Sequence, residues 1–262
     1  MKAEQLAAQL YTVRDHLKTP ADIAKSLARI RAIGYRGVEL AGLGPIADAE
    51  LRSVLDGEGL VCVSAHQPGS VLFGQTADVI ARMKALKCPA AVYPYPSGDP
   101  MRTTQEVLLL AGKLQGAGRA LAAEGLALLY HNHNMELRRI DGRLVLDLIL
   151  EQTEARTLGA ELDTYWIQAG GGDPVAWCRK LYGRLPILHM KDYGVADSWE
   201  SVPVSVFKEV GSGNLDWPRI VAAAEESGCQ AFVVEQDSNW KDGDPFESLK
   251  MSFQYISAHL CR

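Results

Sequence analysis

The sequence contains no long apolar segment and no sign of export. No uninterrupted apolar run approaches the ~20 residues that a membrane helix requires, and the amino terminus lacks the basic-then-apolar pattern of a secretion signal. The five cysteines are widely spread, and none of them forms a CxxC pair. The sequence therefore indicates neither a disulfide framework nor a zinc–thiolate site, and it predicts a soluble protein of the reducing cytoplasm.

Basic residues are not in excess either. The formal net charge is -5 at pH 7, whereas a protein whose main partner is a nucleic acid presents a basic surface to the phosphates. The dinucleotide-binding motif GxGxxG is also missing, because Gly42-Leu-Gly44 and Gly211-Ser-Gly213 both lack the third glycine. These absences favour a small molecule as the partner and argue against nucleic acids and membranes.

What the chain does contain is a strand–helix unit that recurs along its whole length. Short apolar runs alternate with amphipathic stretches, and several of these stretches end at a glycine, as helices commonly do. The predicted strands cover residues 6–13, 37–41, 60–66, 90–94, 128–133, 158–164, 185–192 and 231–235. With 262 residues and 47% hydrophobic content, the chain can bury a large core.

The predicted strands show no clean alternation of apolar and polar residues through their middles. This pattern is typical of strands that are buried on both faces, and every connection is long enough for a helical crossover between parallel strands. The length and the repeat favour a closed (β/α)8 TIM barrel that forms a single domain over residues 1–262. An open, doubly wound sheet is the alternative.

Polar side chains concentrate at the ends of the predicted strands. In a TIM barrel the chemistry lies at the carboxyl ends of the strands, where inward side chains meet. The residues at these positions are Glu39, His66, His131, His133, Asp163, His189, Lys191 and Glu235. Each one has an ordinary structural explanation, but together they predict a single polar site at the mouth of the barrel.

A divalent cation is the predicted occupant of this site. Carboxylates and imidazoles are the ligands that hard and borderline ions prefer, and Asp163, His189 and Glu235 supply three of them from adjacent strands. Neighbouring strands lie about 4.8 Å apart, so these side chains can meet on one ion. The fourth ligand is expected from the fifth strand, where Glu136 and His131 are both candidates.

Several neighbours of these residues have two possible roles. Glu161 shares a strand face with Asp163 but lies deeper, which predicts a buried supporting group. Lys191 either pairs with a carboxylate or polarises a substrate oxygen. Asp192 faces away from the site and is expected to be structural, while Trp166 either walls a sugar pocket or packs between a loop and a helix.

The motifs that carry these residues resemble those of a known family, the sugar phosphate isomerase/epimerase group of the xylose isomerase-like TIM barrels. The resemblance covers the whole chain and rests on His131-Asn-His-Asn-Met-Glu136, Glu161-Leu-Asp-Thr-Tyr-Trp166, Leu188-His-Met-Lys-Asp192 and Val234-Glu-Gln-Asp237. It implies a divalent metal, with manganese first and magnesium, cobalt or zinc as alternatives, together with possible homo-oligomerisation. The ligand set that it implies is Glu136, Asp163, His189 and Glu235.

The leading hypothesis is a metal-dependent isomerase or epimerase of a keto sugar or keto polyol that works through an enediolate. In this hypothesis Glu235 and Glu136 flank the carbohydrate substrate and transfer its proton. The side chains that would fix hydroxyls and the developing oxyanion are His133, Lys191 and His66. The expected substrate contacts are His66, His131 and Trp166.

Three other functions are considered. The second hypothesis keeps the metal and the enediolate but ends in elimination, which would make the protein a dehydratase or lyase of a keto sugar or inosose. An abasic-site endonuclease is disfavoured by the acidic charge. A non-catalytic sugar-binding barrel would need no metal and would still bind its ligand in an Asp163→Asn variant.

Overall fold

The computed structural model describes residues 1–196 and 202–262. Eight parallel strands pair in sequence and close because the last one pairs with the first, which confirms the predicted (β/α)8 TIM barrel. The barrel strands are β1 (Leu6–Gln9), β2 (Gly37–Leu40), β3 (Val61–His66), β4 (Ala90–Tyr93), β5 (Ala127–His131), β6 (Gly159–Asp163), β7 (Ile187–Met190) and β8 (Ala231–Val234).

Ten described helices surround the barrel or cover its mouth. They are α1 (Pro20–Ile33), α2 (Asp48–Glu58), α3 (Gly69–Gly74), α4 (Thr76–Ala85), α5 (Thr104–Ala123), α6 (Val145–Glu151), α7 (Thr164–Ala169), α8 (Pro174–Lys180), α9 (Trp217–Glu226) and α10 (Pro245–His259). Two small antiparallel pairs lie outside the barrel, Arg139–Ile140 with Arg143–Leu144 and Asp192–Ala196 with Val204–Lys208. Within the described ranges, no helix is both long enough and apolar enough to cross a membrane.

The helix starts follow from local chemistry. Thr19 caps α1 and Thr103 caps α5, each by accepting a hydrogen bond from the backbone N–H three residues later. Asp173 caps α8, and the proline at the first position of that helix has no N–H to leave unsatisfied. These caps fix the residues at which α1, α5 and α8 begin.

Three segments differ from the expected secondary structure. The strand predicted over residues 6–13 ends at Gln9, because the Gln9 side chain accepts a hydrogen bond from the Tyr11 N–H and starts the 3-10 segment Leu10–His16. The short helices α3 and α7 also stand where the sequence analysis assigns no element. All three differences lie just beyond the carboxyl end of a barrel strand, and the side chains of Gln9 and Asp163 accept the hydrogen bonds that start the first 3-10 segment and α7.

The barrel interior has an apolar floor beneath a polar layer. The floor consists of Ala7, Ala90, Val92, Leu129, Ile187 and Val233. Side chains two residues further along a strand point to the same face but lie closer to the mouth. The residues at those positions include Gln9, His131, His189 and Glu235, and all of them are buried. The fold therefore places a buried polar layer directly above a dry apolar one.

Asp192 ties the loop after β7 to the start of α9. Its buried carboxylate accepts hydrogen bonds from the Gly211 N–H at 2.8 Å and the Trp217 Nε1–H at 2.7 Å. The backbone N–H groups of Tyr193, Gly213 and Leu215 donate to it as well. This arrangement confirms the expectation that Asp192 is structural.

Candidate active site

Four side chains from four consecutive strand ends meet in the polar layer. They are His131, Asp163, His189 and Glu235, and their ligand atoms all lie within 4.8 Å of one another. His189 Nδ1 lies 3.2 Å from Glu235 Oε2 and 4.0 Å from Asp163 Oδ2, while His131 Nε2 lies 3.9 Å from the same Asp163 oxygen. We refer to these four residues as the metal cluster.

The chemistry of the metal cluster fits a divalent cation. Asp163 Oδ1 caps α7 by accepting a hydrogen bond from the Trp166 N–H at 3.0 Å, whereas Asp163 Oδ2 is buried without a hydrogen-bond partner among the described residues. Burial, aided by the charge of Glu235, raises the pKa of Asp163 to about 7. A cation would satisfy the free oxygen and favour the ionised carboxylate. Two imidazoles and two carboxylates are also a suitable donor set for manganese, cobalt or zinc.

The structure does not bring Glu136 into the metal cluster, which corrects the expectation for this residue. Its carboxylate is fully buried and accepts a hydrogen bond from the Tyr130 hydroxyl at 2.8 Å. The other carboxylate oxygen accepts from the backbone N–H of His133, also at 2.8 Å. Both oxygens therefore hold the loop after β5 in shape. The residue of this region that joins the metal cluster is His131.

His133 reaches the mouth of the barrel although β5 ends at His131. The two rings lie 5.1 Å apart, and within residues 1–196 and 202–262 the buried His133 Nδ1 has no hydrogen-bond partner. Burial, together with the positive charge of Lys191, lowers the pKa of His133 to about 4. The side chain of Asn132 points elsewhere and accepts a hydrogen bond from the Asp163 N–H at 3.0 Å. The imidazole of His133 is thus neutral and free to contact a ligand.

Lys191 pairs with three carboxylates at the edge of the metal cluster. Its Nζ lies 2.6 Å from Asp237 Oδ2, 2.9 Å from Glu235 Oε2 and 3.6 Å from Asp163 Oδ2. Burial alone would lower the pKa of this ammonium group, but the three carboxylates outweigh burial and raise it. Lys191 is therefore charged and held in place beside Glu235.

A second group of polar side chains lies deeper in the barrel, below the metal cluster. Glu161 Oε1 lies 3.1 Å from His131 Nδ1 and 3.0 Å from His189 Nε2. Glu39 Oε1 lies 2.8 Å from His189 Nε2 and 2.9 Å from His66 Nε2. Burial lowers the pKa of His66, but these two carboxylates outweigh burial and raise it to about 10. The deeper group thus supports the histidines from below.

The metal cluster opens into a cavity of about 380 Å³. The cavity is lined by Tyr11, Ala41, Gly42, His66, Pro68, Pro94, Tyr95, His131, His133, Lys191, Glu235 and Asp237. Trp166 is not among these residues, because its ring packs 5.2 Å from the His133 ring and 5.3 Å from Lys191 Nζ. The structure therefore brings the predicted His66 and His131 to the cavity wall and places Trp166 behind it.

The closed barrel and its strand-end site agree with the protein family that the sequence matches. The family model for the Xylose isomerase-like TIM barrel matches residues 27–255. The chain belongs to the xylose isomerase-like TIM barrel family. The resemblance seen in the strand-end motifs is thereby confirmed.

Several relatives of this xylose isomerase-like barrel are known. The rhizopine catabolism protein MocC of Rhizobium meliloti is 25% identical over a gapped match of 268 residues. The match covers 90% of this chain and 81% of that protein. An inosose dehydratase of Geobacillus thermodenitrificans is 26% identical over 168 residues, or 60% of this chain and 56% of that protein. The crystal structure of a sugar phosphate isomerase/epimerase from Parabacteroides distasonis superposes with a TM-score of 0.83 at 22% identity, covering 99% of this chain and 96% of that one. At this identity the structural likeness shows the fold alone.

Sequence reasoning did not assign a role to two further residues of this xylose isomerase-like site. Glu39 was recognised as a strand-end residue, but nothing in the sequence shows that its carboxylate reaches His189 on the opposite side of the barrel. Asp237 was seen only within a motif after β8, and its contact with Lys191 depends on how that loop turns. The period-two pattern could have found Gln9, which lies two residues after the inward Ala7.

Proposed function

We propose that this protein is a metal-dependent isomerase or epimerase that removes a proton next to the carbonyl group of an uncharged keto sugar or keto polyol. The observation that supports this most is the metal cluster, a buried group of two imidazoles and two carboxylates that opens into a cavity. Such a site suits the enolisation of a carbon acid, because the enolate needs a positive charge beside its oxygen.

The chain's own residues supply the other elements of this mechanism. The chemistry that a divalent ion would add when bound here is polarisation of the substrate carbonyl. Glu235 lines the cavity and acts as the base, while Lys191, at 2.9 Å from it, donates a hydrogen bond to a substrate oxygen. His133 lines the same cavity as a neutral imidazole and holds a substrate hydroxyl group, while the protonated Glu235 returns the proton to the neighbouring carbon.

The metal is tested first by elemental mass spectrometry after dialysis against manganese. We expect about one ion per chain in the wild type and its loss in Asp163→Asn, because the substitution removes a charged ligand from the buried group. The matched control is Glu136→Gln, which should keep the ion because this carboxylate holds a loop. Retention of manganese by Asp163→Asn, or its loss from Glu136→Gln alone, would contradict the assignment of the ligands.

The charges around the cavity argue for a substrate without phosphate. Among the described residues, the cavity lining contains no arginine and a single lysine, Lys191, which already pairs with three carboxylates. The segment 197–201 contains no lysine or arginine in its sequence. Arg14 lies beside the wall, where its guanidinium group stacks 4.4 Å over the Tyr11 ring and donates to the backbone oxygens of Tyr11 and Asp237. His66, the other cation of the described lining, already pairs with Glu39 and Glu161, so a phosphate group would meet Glu235 and Asp237 while both cations are engaged.

Keto sugars and their phosphate esters can be compared directly with the manganese-loaded protein. For every keto sugar that the protein labels with solvent deuterium, we expect its phosphate ester to have a kcat/KM at least about tenfold lower, since like charges repel at the cavity mouth. The measurement is the exchange rate by proton NMR. A preference for the ester that disappears in Arg14→Gln would show that Arg14 is a phosphate site and would contradict the proposal.

Dehydration of a keto polyol is the second candidate function. The observation in its favour is that Glu136 lies outside the metal cluster, so that Glu235, beside a charged lysine, is the one glutamate among the described residues that lines the cavity. Elimination needs one base for the carbon acid and one proton donor for the departing hydroxyl group, and this pair supplies both. A curated relative points the same way, because it is named an inosose dehydratase. Mass spectrometry separates the two reactions, since elimination alone loses the mass of water.

A further inference from the structure

One carboxylate oxygen contacts both imidazoles of the metal cluster from below. Glu161 Oε1 lies 3.1 Å from His131 Nδ1 and 3.0 Å from His189 Nε2. Glu161 is fully buried and is not part of the cavity lining. Each histidine therefore presents one nitrogen to Glu161 and the other one to the metal cluster.

These contacts fix which nitrogen of each ring faces the metal cluster. A histidine ligand binds an ion through one ring nitrogen and can donate from the other to a carboxylate. The carboxylate below His131 Nδ1 is Glu161, and those below His189 Nε2 are Glu161 and Glu39, so His131 Nε2 and His189 Nδ1 are the nitrogens turned towards the metal cluster. Those two atoms are the ones that lie 3.9 Å and 4.0 Å from Asp163 Oδ2.

We propose that Glu161 is a positioning residue that orients both imidazole ligands of the metal cluster at once. The inference rests on the proposed metal site and goes beyond it, because it makes the affinity for the ion depend on a residue that does not contact the ion. A histidine ligand is held more rigidly, and is more basic, when its second nitrogen donates to a carboxylate. Here Glu161 Oε1 reaches both ligands, and Glu39 Oε1 also contacts His189 Nε2, at 2.8 Å.

The surroundings of Glu161 favour this role over a second ion in the deeper group. The neighbouring Glu39 accepts hydrogen bonds from the Gln9 amide and the Ser64 hydroxyl, so protein donors already contact both of its oxygens. His66 is the third imidazole next to Glu161 Oε1, at 3.3 Å. Below this level the barrel is filled by the apolar floor. Both oxygens of Glu39 and Glu161 Oε1 thus already face N–H or O–H donors, and Glu161 Oε2 is the one carboxylate oxygen of the deeper group without a hydrogen-bond partner among the described residues.

The test compares the manganese affinity of the wild type with that of Glu161→Gln and Glu161→Asp by isothermal titration calorimetry. We expect both variants to bind manganese about 10–100-fold more weakly, since the first removes the negative charge that makes the two imidazoles more basic and the second withdraws the carboxylate while keeping its charge. The absorption spectrum of the cobalt-loaded protein should also change, because it reports the geometry of the ligands. The matched control is Glu209→Gln, a buried glutamate that hydrogen-bonds to Ser248 outside the site.

The outcomes separate this inference from the proposed function. Wild-type affinity and an unchanged cobalt spectrum in both Glu161 variants would overturn the positioning role while the metal site stands. Two ions per wild-type chain and one in Glu161→Gln would also overturn it, because the deeper group would then be an ion site. A wild-type protein that binds no manganese would contradict the proposed function itself. Melting temperatures of the metal-free proteins identify any variant whose loss of affinity comes from a damaged fold.

Discussion

Glu235→Gln is expected to lower kcat/KM for the labelled keto sugar by about 10³-fold or more, while the barrel remains folded. The substitution removes the base that lines the cavity, and a positioned general base contributes about 10²–10⁴-fold to the rate of proton transfer. It also removes a charged member of the metal cluster and leaves Lys191 with one carboxylate fewer. The measurement is solvent-deuterium exchange at saturating manganese, followed by NMR.

Two controls make this result specific. Metal content is measured for the same preparation, so that a slow but loaded variant identifies loss of the base and an empty one identifies loss of the ion. Glu209→Gln provides a buried glutamate substitution of the same kind outside the site. Turnover by Glu235→Gln within a factor of about ten of the wild type would be inconsistent with a role for Glu235 as the base.

Asp192→Ala is expected to lower the free energy of unfolding by about 3–5 kcal/mol. The substitution removes the acceptor for the Trp217 indole N–H and for backbone N–H groups of the loop that follows β7. A buried donor without a partner costs about 1–3 kcal/mol, and water can reach part of this loop, so the total is smaller than a simple sum. The measurement is urea denaturation of the metal-free protein.

Substitutions around Asp192 refine this test. Asp192→Asn keeps one acceptor oxygen and should lose less stability than Asp192→Ala. Gly213→Ala should also destabilise the loop, because a Cβ atom there would stand 2.5 Å from the backbone oxygen of Tyr193. A loss below about 1 kcal/mol in Asp192→Ala would mean that the loop does not depend on this carboxylate.

The sequence predicted the barrel because its signals are local and repeated. Helix caps such as Thr19 and Asp173 act within three residues, and the apolar strand runs report burial on both faces directly. The segments that differ, such as the 3-10 turn after Gln9, arise where a side chain competes with the backbone for a hydrogen bond. That competition depends on neighbours from other strands, so the sequence alone does not determine its outcome.

The same difference between regular strands and the loops after them explains which site residues the sequence predicted. Asp163, His189 and Glu235 were found because regular strands of a TIM barrel bring inward side chains from neighbouring strands together. Glu136 lies after the end of β5, where no periodicity applies, and its carboxylate binds the Tyr130 hydroxyl and a backbone N–H. The choice between Glu136 and His131 could therefore be made only from the three-dimensional structure.

The four members of the metal cluster come from four separate strand–helix units, and this has a consequence for how the site can be altered. Each of the four side chains extends from the end of its own strand, above the shared apolar floor. One of these residues can therefore be substituted without changing the other three strands, provided that the new side chain reaches the same point. A glutamate grafted in place of His131 would face the buried carboxylate of Glu161, which lies 3.1 Å from the present ring, so protein engineers would have to change these two residues together.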